Sequence, residues 1–449
     1  MFGTSGVRGS IGETITADLA VAMGRAVATA GADTVVVGRD PRTTGPLLRD
    51  ALSAGAREAG ADVVDLGTVG TPTLARSVAW VDADVGVMVT ASHNPPEDNG
   101  FKLWTPSGKA IGPDQQRAIE AIVDRDIYEP AAWDEVGRVL DPPGDVEGCH
   151  RRILEDAAGD LSGLSVVLDV GNGAGTLTAE ALSGAGADVR TLDAQADGRF
   201  PGRPSEPTAE ALSGLATVVE GTDADLGIAH DGDADRTVAV DETGEVVPGD
   251  QLLGVFAREA ASAGDWVAVP VDTSVTVEDA LDEVNAETVY TRVGDVHVAE
   301  TVTDEGFVFG GEPSGAYIWP DETLCPDGPL AACRLASIVS ERGPLSAVLE
   351  DVPEYPIRRE NVDVEEPEAT MRAVHRITED RFGDVDDTDG AYVRFEDGWI
   401  LVRASGTQSL VRVTAEARDP DRADALLKTA LDVVERCRKP ASEAHQAAE

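Results

Sequence analysis

The chain has 449 residues, of which 83 are acidic and 36 basic, and its formal charge of -47 argues against binding to nucleic acid, another polyanion. At about 100 to 200 residues per domain, this length predicts three or four domains and excludes a single small module. Abundant aliphatic residues exclude a disordered chain, and the longest apolar runs are too short to cross a membrane.

Other features of the composition concern compartment and surface. The chain starts without a basic segment followed by an apolar one, so we expect no secretory signal and a cytoplasmic location. The cysteines lack Cys-x-x-Cys spacing, which argues against a zinc site or a disulfide framework; they are Cys149, Cys325, Cys333 and Cys437. Acidic residues are dispersed along the chain, and we hypothesise a halophile's enzyme in which concentrated salt screens self-repulsion.

Three segments share one order of predicted elements: an aliphatic run, a turn rich in glycine or aspartate, a helical pattern and a second aliphatic run. The first runs begin at Thr34, Ser165 and Trp266, and the return strands are predicted at residues 63–66, 188–192 and 288–290. Valine-rich strands that alternate with helices are typical of sheets covered on both faces. The sequence therefore predicts three related α/β domains.

The C-terminal part follows a different pattern. A helix is predicted around residues 371–377, then strands at 391–395, 399–403 and 410–416, and a closing helix at 421–434. This order indicates a smaller α+β domain with antiparallel strands. The predicted domains are residues 1–145, 146–247, 248–355 and 356–440, followed by a tail at 441–449.

The segment Thr90-Ala91-Ser92-His93-Asn94-Pro95 follows a predicted strand at residues 85–89. Ser92 should therefore lie at the carboxyl end of a strand, where α/β folds place ligands. A serine beside His93 and near Lys102 could carry a phosphoryl group covalently. An Asn-Pro turn in which both side chains bond only the backbone is an equal alternative on spacing alone.

Three aspartates alternate in Asp231-Gly232-Asp233-Ala234-Asp235-Arg236, which predicts a site for a divalent cation. A calcium loop of the EF-hand type shares this ligand spacing. However, Arg236 stands where that loop requires glycine, and residues 237–240 predict a strand instead of a helix. A solvated acidic turn is the remaining alternative, and metal binding is favoured over it.

Two further polar turns follow predicted strands. Glu312 and Ser314 could orient sugar hydroxyls, although a plain Gly/Pro turn is the favoured interpretation of this segment alone. The second turn suits a phosphate, with a hairpin turn as its alternative, because it offers a guanidinium, hydroxyls and free backbone amides. Its residues are Arg403, Ser405, Gly406 and Thr407.

Together with residues 3–9, Gly-Thr-Ser-Gly-Val-Arg-Gly, these segments resemble the signature set of the alpha-D-phosphohexomutases from residue 3 to about residue 435. The resemblance implies four domains in a heart shape around one central cleft. It implies an isomerase that interconverts hexose 6-phosphate and hexose 1-phosphate through phosphoserine and a hexose 1,6-bisphosphate, which also serves as activator. Its partner would be a small phosphosugar, and the chain would be a monomer or homodimer.

The same resemblance implies a role for each site residue. One Mg²⁺ per chain would be held by a phosphoserine oxygen of Ser92 and by Asp231, Asp233 and Asp235. Glu312 and Ser314 would hold sugar hydroxyls, and the phosphate that is not transferred would be bound by Arg403, Ser405, Gly406 and Thr407. The transferring group would be surrounded by Arg8, His93, Lys102 and Arg236. Lys102 is the candidate for proton transfer, with charge stabilisation as its alternative.

Substrate preference is less constrained by the sequence. Gln408 and Ala316 stand where many relatives carry Glu and His. The segment from Val293 to His297, which includes Asp295, is similar to the third-domain loop of the branch that acts on glucosamine phosphate. Glucosamine phosphates are therefore the first expectation, followed by mannose and glucose phosphates. A metal-dependent phosphatase and a non-enzymatic acidic protein that binds metal or sugar are the alternatives from other classes.

Overall fold

The computed structural model of the chain describes residues 1–3, 6–405 and 409–437. Four β-sheets follow one another along these residues. The first three sheets mix parallel and antiparallel strands and carry helices, and the fourth is antiparallel throughout. This architecture confirms the prediction of three related α/β units and a smaller α+β unit. No helix within the described ranges is long and apolar enough to cross a membrane.

The first unit is built on a six-stranded sheet in the order β1-β5-β4-β2-β3-β6. Its central strand is the predicted valine run, and Val35, Val36 and Val37 are fully buried because helices cover both faces. The strands are β1 (Val7–Ser10), β2 (Thr34–Arg39), β3 (Asp62–Thr68), β4 (Val85–Val89), β5 (Asp98–Trp104) and β6 (Val139–Leu140). The helices are α1 (Ala17–Thr29), α2 (Gly45–Glu58), α3 (Thr71–Trp80) and α4 (Pro113–Arg125).

The second unit has a four-stranded sheet in the order β10-β9-β7-β8, with only the edge strand β10 antiparallel to its neighbour. The return strand β8 has the predicted bounds. The strands are β7 (Ser165–Asp169), β8 (Asp188–Leu192), β9 (Leu226–Ala229) and β10 (Val238–Val240). The helices are α5 (Val146–Ala158), α6 (Thr176–Gly184) and α7 (Ser213–Glu220).

The third unit repeats this plan with the sheet order β12-β11-β13-β14. Strand β14 pairs antiparallel at the edge, as β10 does in the second unit. The strands are β11 (Trp266–Pro270), β12 (Glu287–Thr291), β13 (Phe307–Gly311) and β14 (Tyr317–Ile318). The helices are α8 (Gly249–Ala260), α9 (Val275–Asp282), α10 (Asp295–Thr301), α11 (Gly328–Arg342) and α12 (Leu345–Leu349).

The fourth unit is a meander with one added strand, in the order β15-β18-β17-β16. Its predicted strands agree with the structure to within one residue, and β15 is an additional edge strand. The strands are β15 (Ile357–Asp363), β16 (Ala391–Phe395), β17 (Gly398–Ala404) and β18 (Leu410–Ala417). The helices are α13 (Pro367–Phe382) and α14 (Pro420–Cys437), which cover one face of the sheet.

Contacts between the units fix where their loops point. The second and third units share one apolar core, in which Leu154 and Leu168 belong to the same cluster as Phe256 and Phe309. The fourth unit is tied to the third by Glu416, a fully buried carboxylate on β18. It accepts hydrogen bonds from the Ser274 hydroxyl, the Val275 amide at 3.1 Å and the Trp399 indole. Loops at the carboxyl ends of strands from separate units are thereby held against one another.

Candidate active site

Ser92 lies on the loop after β4, where its backbone adopts the left-handed conformation with φ 52°. That conformation is unfavourable for a residue with a side chain and is typically retained at functional sites. The residue is 1% exposed, and its hydroxyl donates to Oδ2 of Asp231 at 2.7 Å. Nδ1 of His93 lies 3.4 Å from the same hydroxyl. A serine of the first unit is thus held against a carboxylate of the second.

Arg42 holds the backbone of this loop, although no motif in the sequence points to it. Its guanidinium is fully buried and pairs with Asp40 at 2.9 Å. The remaining N–H groups donate to four carbonyls of the loop, those of Ser92 (2.8 Å), Asn94 (2.6 Å), Pro95 (2.5 Å) and Asp98 (2.9 Å). Ser205 of the second unit donates to the same Ser92 carbonyl at 2.7 Å. These bonds offset the cost of the left-handed conformation and fix the serine oxygen.

Three carboxylates lie together on the loop between β9 and β10. One oxygen from each of Asp231, Asp233 and Asp235 lies within 4.8 Å of the others, and all three residues are at most 5% exposed. Gly232 allows this loop to approach the serine loop, because a Cβ there would lie 2.8 Å from the carbonyl oxygen of Ser92. This loop leads into the strand β10, whereas the loop of an EF-hand leads into a helix, so the loop is not an EF-hand.

The carboxylate cluster has oxygens that protein groups do not satisfy. Nζ of Lys102 contacts Oδ2 of Asp233 at 2.8 Å and also bonds Oδ2 of Asp235. The Oδ1 atoms of both aspartates are buried and have no hydrogen-bond partner within the described part of the chain. Such oxygens are costly to bury, and hard divalent cations bind oxygen donors of this kind. Asp231, Asp233 and Asp235 therefore fit a divalent cation.

The pKa values within the cluster show how its charges interact. Burial, and then repulsion from Asp235 and Asp233, raise the pKa of Asp231 well above its usual range. Burial would raise the pKa of Asp233 too, but the charge and hydrogen bond of Lys102 outweigh that effect and lower it. Burial likewise opposes the charged form of Lys102, yet Asp233 and Asp235 raise the pKa of its ammonium. Lys102 is therefore held as a cation.

His93 differs from the basic residues around it. Burial, followed by the positive charges of Arg236 and Arg8, lowers the pKa of His93 to about 2. The imidazole is thus neutral at neutral pH and can accept as well as donate a hydrogen bond. Positive charge beside Ser92 comes from Arg8, Lys102 and Arg236.

Residues from all four units line one cavity of about 510 Å³. The loops that carry them are distant in sequence but converge at the carboxyl ends of strands, where α/β folds bind ligands. The predicted site residues among them are Arg8, Ser92, His93, Asp235, Arg236, Asp295, Glu312, Ser314, Arg403 and Ser405.

Glu312 and Ser314 face this cavity as a hydrogen-bonded pair. The Ser314 hydroxyl donates to Oε2 of Glu312 at 3.1 Å, and the Gly294 amide donates to Oε1 at 2.8 Å. Burial, and then the negative charge of Asp295, raise the pKa of Glu312 to about 7. A carboxylate and a hydroxyl in this arrangement can bind neighbouring hydroxyls of a sugar.

The fourth unit presents three arginines on one face of its sheet. Arg403 is directly opposite Arg412 on the neighbouring strand, and Arg359 is opposite Thr414, two residues from Arg412, so all three share that face. All three line the cavity. Nη1 of Arg403 lies 3.3 Å from Oδ2 of Asp389. In a chain of such negative charge, this face suits a phosphate.

Other predicted site residues lie elsewhere. Lys102 bonds the carboxylate cluster and is not among the residues that line the main cavity. His297 follows Asp295 by two positions on α10 and points away from it, since two residues span about 200° of a helix. Its Nδ1 lies 3.8 Å from Glu300, and its role with substrate stays a prediction. Gly406 and Thr407 lie outside the described residues.

Four charged residues that line the cavity were not predicted from the sequence: Glu206, Asp272, Arg359 and Arg412. Asp272 could have been predicted as a site residue, because it follows the valine-rich strand β11 just as the Ser92 loop follows β4. Arg412 lies in a predicted strand whose alternation shows which residues share a face, but not which face meets the cavity, and Arg359 lies in β15, which the sequence did not predict.

Comparison with known families places this architecture in one class. Four models match in order, those of phosphoglucomutase/phosphomannomutase alpha/beta/alpha domain I (residues 1–129), domain II (152–244), domain III (248–355) and the C-terminal domain (360–433). The chain belongs to the phosphoglucomutase/phosphomannomutase family, and it is an isomerase of the mutase type.

Individual relatives cover nearly the whole chain. A protein of Methanopyrus kandleri named "Probable phosphoglucosamine mutase" is 46% identical over 97% of this chain and 98% of its own. A protein of the same name from Methanothermobacter thermautotrophicus is 44% identical over 94% and 95%. The solved structure of a phosphoglucomutase/phosphomannomutase family protein from Burkholderia thailandensis has a TM-score of 0.87 at 29% identity, over 98% of this chain and 99% of that one.

A more distant structure shares the fold. The N-acetylphosphoglucosamine mutase of Aspergillus fumigatus, solved with GlcNAc-6P and magnesium, has a TM-score of 0.61 at 16% identity, over 98% of this chain and 96% of that one. The predicted family and fold are therefore confirmed, whereas the roles of individual site residues stay predictions.

Proposed function

We propose that this enzyme interconverts glucosamine 6-phosphate and glucosamine 1-phosphate, with Ser92 as the carrier of the phosphoryl group. The observation that carries the proposal is the 2.7 Å contact between the Ser92 hydroxyl and Asp231, within a cluster of buried carboxylates beside a cavity that also holds arginines of the fourth unit. The names of the archaeal relatives support the choice of sugar.

One Mg²⁺ per chain fits the carboxylate cluster. Asp231, Asp233 and Asp235 would hold it together with a phosphate oxygen on Ser92, and the orphaned Oδ1 atoms of two of these aspartates support that assignment. When bound, the cation neutralises negative charge that develops on the phosphoryl group.

In the first half of the reaction, the bond between phosphorus and the Ser92 oxygen breaks while a substrate hydroxyl oxygen bonds to phosphorus, which gives a bisphosphate. The proton of that hydroxyl balances the charge left on the serine oxygen. Arg8, Arg236 and Lys102 would stabilise the group in transfer. Proton transfer is the alternative role for Lys102.

In the second half, the bisphosphate turns around and its other phosphoryl group returns to Ser92. Glu312 and Ser314 would bind the sugar hydroxyls in both orientations, because each group can bond either of two neighbouring hydroxyls. Asp295, which lines the cavity, would lie beside the sugar, and contact between His297 and the sugar would require a change in the orientation of that side chain. The phosphate that is not transferred would be held by Arg403, Ser405, Gly406 and Thr407.

The test compares turnover of glucosamine, mannose and glucose 6-phosphates by the purified enzyme with MgCl2 and a trace of bisphosphate. We expect the highest kcat/KM with glucosamine 6-phosphate, its loss in Ser92→Ala, and little change in Ser107→Ala, an exposed serine of the same unit. Full turnover by Ser92→Ala would defeat the mechanism. Release of inorganic phosphate without isomerised sugar would instead indicate a phosphatase.

A further inference from the structure

Three carboxylates of the third unit line the cavity in which the sugar is proposed to bind: Asp272, Asp295 and Glu312. Both aspartates contribute to the raised pKa of Glu312, so the three groups are close enough to repel one another. A sugar that carries only hydroxyls leaves this repulsion in place. A sugar with an ammonium group would relieve it.

Asp272 is the carboxylate among these that stands nearest to the arginine face. It lines both the main cavity and an adjoining one of about 320 Å³, which Arg359, Arg403 and Arg412 also line. Its side chain is 30% exposed, and within the described residues its one ion-pair contact within 4.0 Å is Arg403, at 4.0 Å. Burial raises the pKa of Asp272, while Arg403 and Arg359 oppose that effect.

This contact has a consequence when a phosphate binds. A phosphate takes the N–H groups of Arg403 in short, charge-assisted hydrogen bonds that are stronger than a contact at 4.0 Å. The carboxylate of Asp272 would then share Arg403 with a dianion, and Arg359, which also opposes the rise of its pKa, lies beyond 4.0 Å. An ammonium group on the sugar that is joined to that phosphate could pair with this carboxylate directly.

We propose that Asp272 binds the ammonium group of the substrate and makes the enzyme prefer a 2-amino sugar phosphate to its 2-hydroxy counterpart. This inference rests on the proposed function, because it concerns specificity at the same site. It adds a residue for which the sequence motifs assign no role.

The test uses Asp272→Asn, which keeps the size of the side chain and removes its charge. The kcat/KM for glucosamine 6-phosphate should fall about tenfold or more, because a hydrogen bond between charged groups is lost. Glucose 6-phosphate is measured as a competitive inhibitor, so that its binding can be read whether or not it turns over. Its inhibition constant should change by less than about threefold, since an asparagine oxygen still accepts a hydrogen bond from a hydroxyl.

The control is Asp389→Asn, which removes the other carboxylate beside Arg403, at 3.3 Å, from a residue that does not line the cavity. If Asp272 acted only by positioning Arg403, both variants would weaken the two sugars equally, and that result would overturn the inference. An unchanged preference in Asp272→Asn would overturn it as well.

A second measurement reads the ammonium group directly. An amine of this kind titrates near pH 8, as an α-amino group does. Preference for glucosamine 6-phosphate in the wild-type enzyme should therefore decline as pH rises through 8, and this decline should be absent in Asp272→Asn. An equal decline in both proteins would contradict the inference. Failure of the wild-type enzyme to act on glucosamine 6-phosphate would instead defeat the proposed function.

Discussion

Replacing Arg42 with methionine should both destabilise the protein and slow the reaction. The substitution keeps much of the buried volume but leaves Asp40 without its partner and four loop carbonyls without their donor. Removing one member of a buried ion pair costs about 3–5 kcal/mol. Release of the left-handed backbone at Ser92 should also displace its oxygen, and a displacement of about 1 Å can lower kcat about 100-fold.

The loss of stability should depend on pH in a defined direction. Burial, opposed by Arg42, raises the pKa of Asp40 to about 6 from its usual 3.8, so the folded protein binds this proton more tightly than the unfolded chain. Such a group lowers stability as pH rises through that interval. Without Arg42 the pKa of Asp40 rises further, so the deficit relative to wild type should be smaller at pH 5 than near pH 8, while the cost of the carbonyls that lose their donor is present at both pH values.

The assay is urea unfolding at pH 5 and pH 8, with kcat measured on the folded variant. Arg25→Met is the control, because Arg25 belongs to the same unit and pairs with Glu58 at 2.7 Å in a partly exposed position. It should cost about 0–1 kcal/mol, as exposed ion pairs do. An Arg42→Met protein with the unfolding midpoint and kcat of wild type would refute the role given to this arginine.

Three further outcomes follow from the site and the charge. Because the pKa of Glu312 is raised to about 7 by burial and by Asp295, its sugar-binding carboxylate should be lost as pH falls, so kcat/KM should drop below pH 7 and lose this dependence in Glu312→Gln. Mg²⁺ should raise the melting temperature of the wild-type protein, and Asp233→Asn should abolish that rise and lower kcat at least 100-fold. KCl should also raise the melting temperature, because it screens the charge of -47.

Each of these outcomes has a clear opposite. A kcat/KM that stays flat down to pH 5 would show that the charge of Glu312 does not matter for the sugar. Stabilisation of Asp233→Asn by Mg²⁺ to the wild-type extent would place the cation elsewhere. A melting temperature that does not change with KCl concentration would count against the halophile hypothesis.

Most strands and helices could be predicted from the sequence because their formation depends on residues that are close together in the chain. The valine run predicted β2 almost to the residue, since a strand buried on both faces must be apolar along its length. Strand β15 was missed because its polar sequence Arg358-Arg359-Glu360-Asn361 lies on an edge and lacks the apolar alternation of a half-buried strand.

The candidate site was predictable where a motif concentrates unusual chemistry in a few residues, as at Ser92 and the three aspartates. Isolated residues gave no comparable signal. Arg42 lies 50 residues from the carbonyl of Ser92 to which it donates, and Asp272 meets Arg403 only because the third and fourth units are docked. Such partners depend on tertiary packing, which periodicity and spacing within one segment do not determine.

The most direct test of the account follows the phosphoryl group itself. The enzyme is incubated with radiolabelled glucosamine 1,6-bisphosphate, the labelled peptide is located by mass spectrometry, and unlabelled glucosamine 6-phosphate is then added. We expect label on Ser92 that moves into the sugar bisphosphate when the monophosphate is supplied. Label that never reaches Ser92, or that leaves it only as inorganic phosphate, would contradict the account.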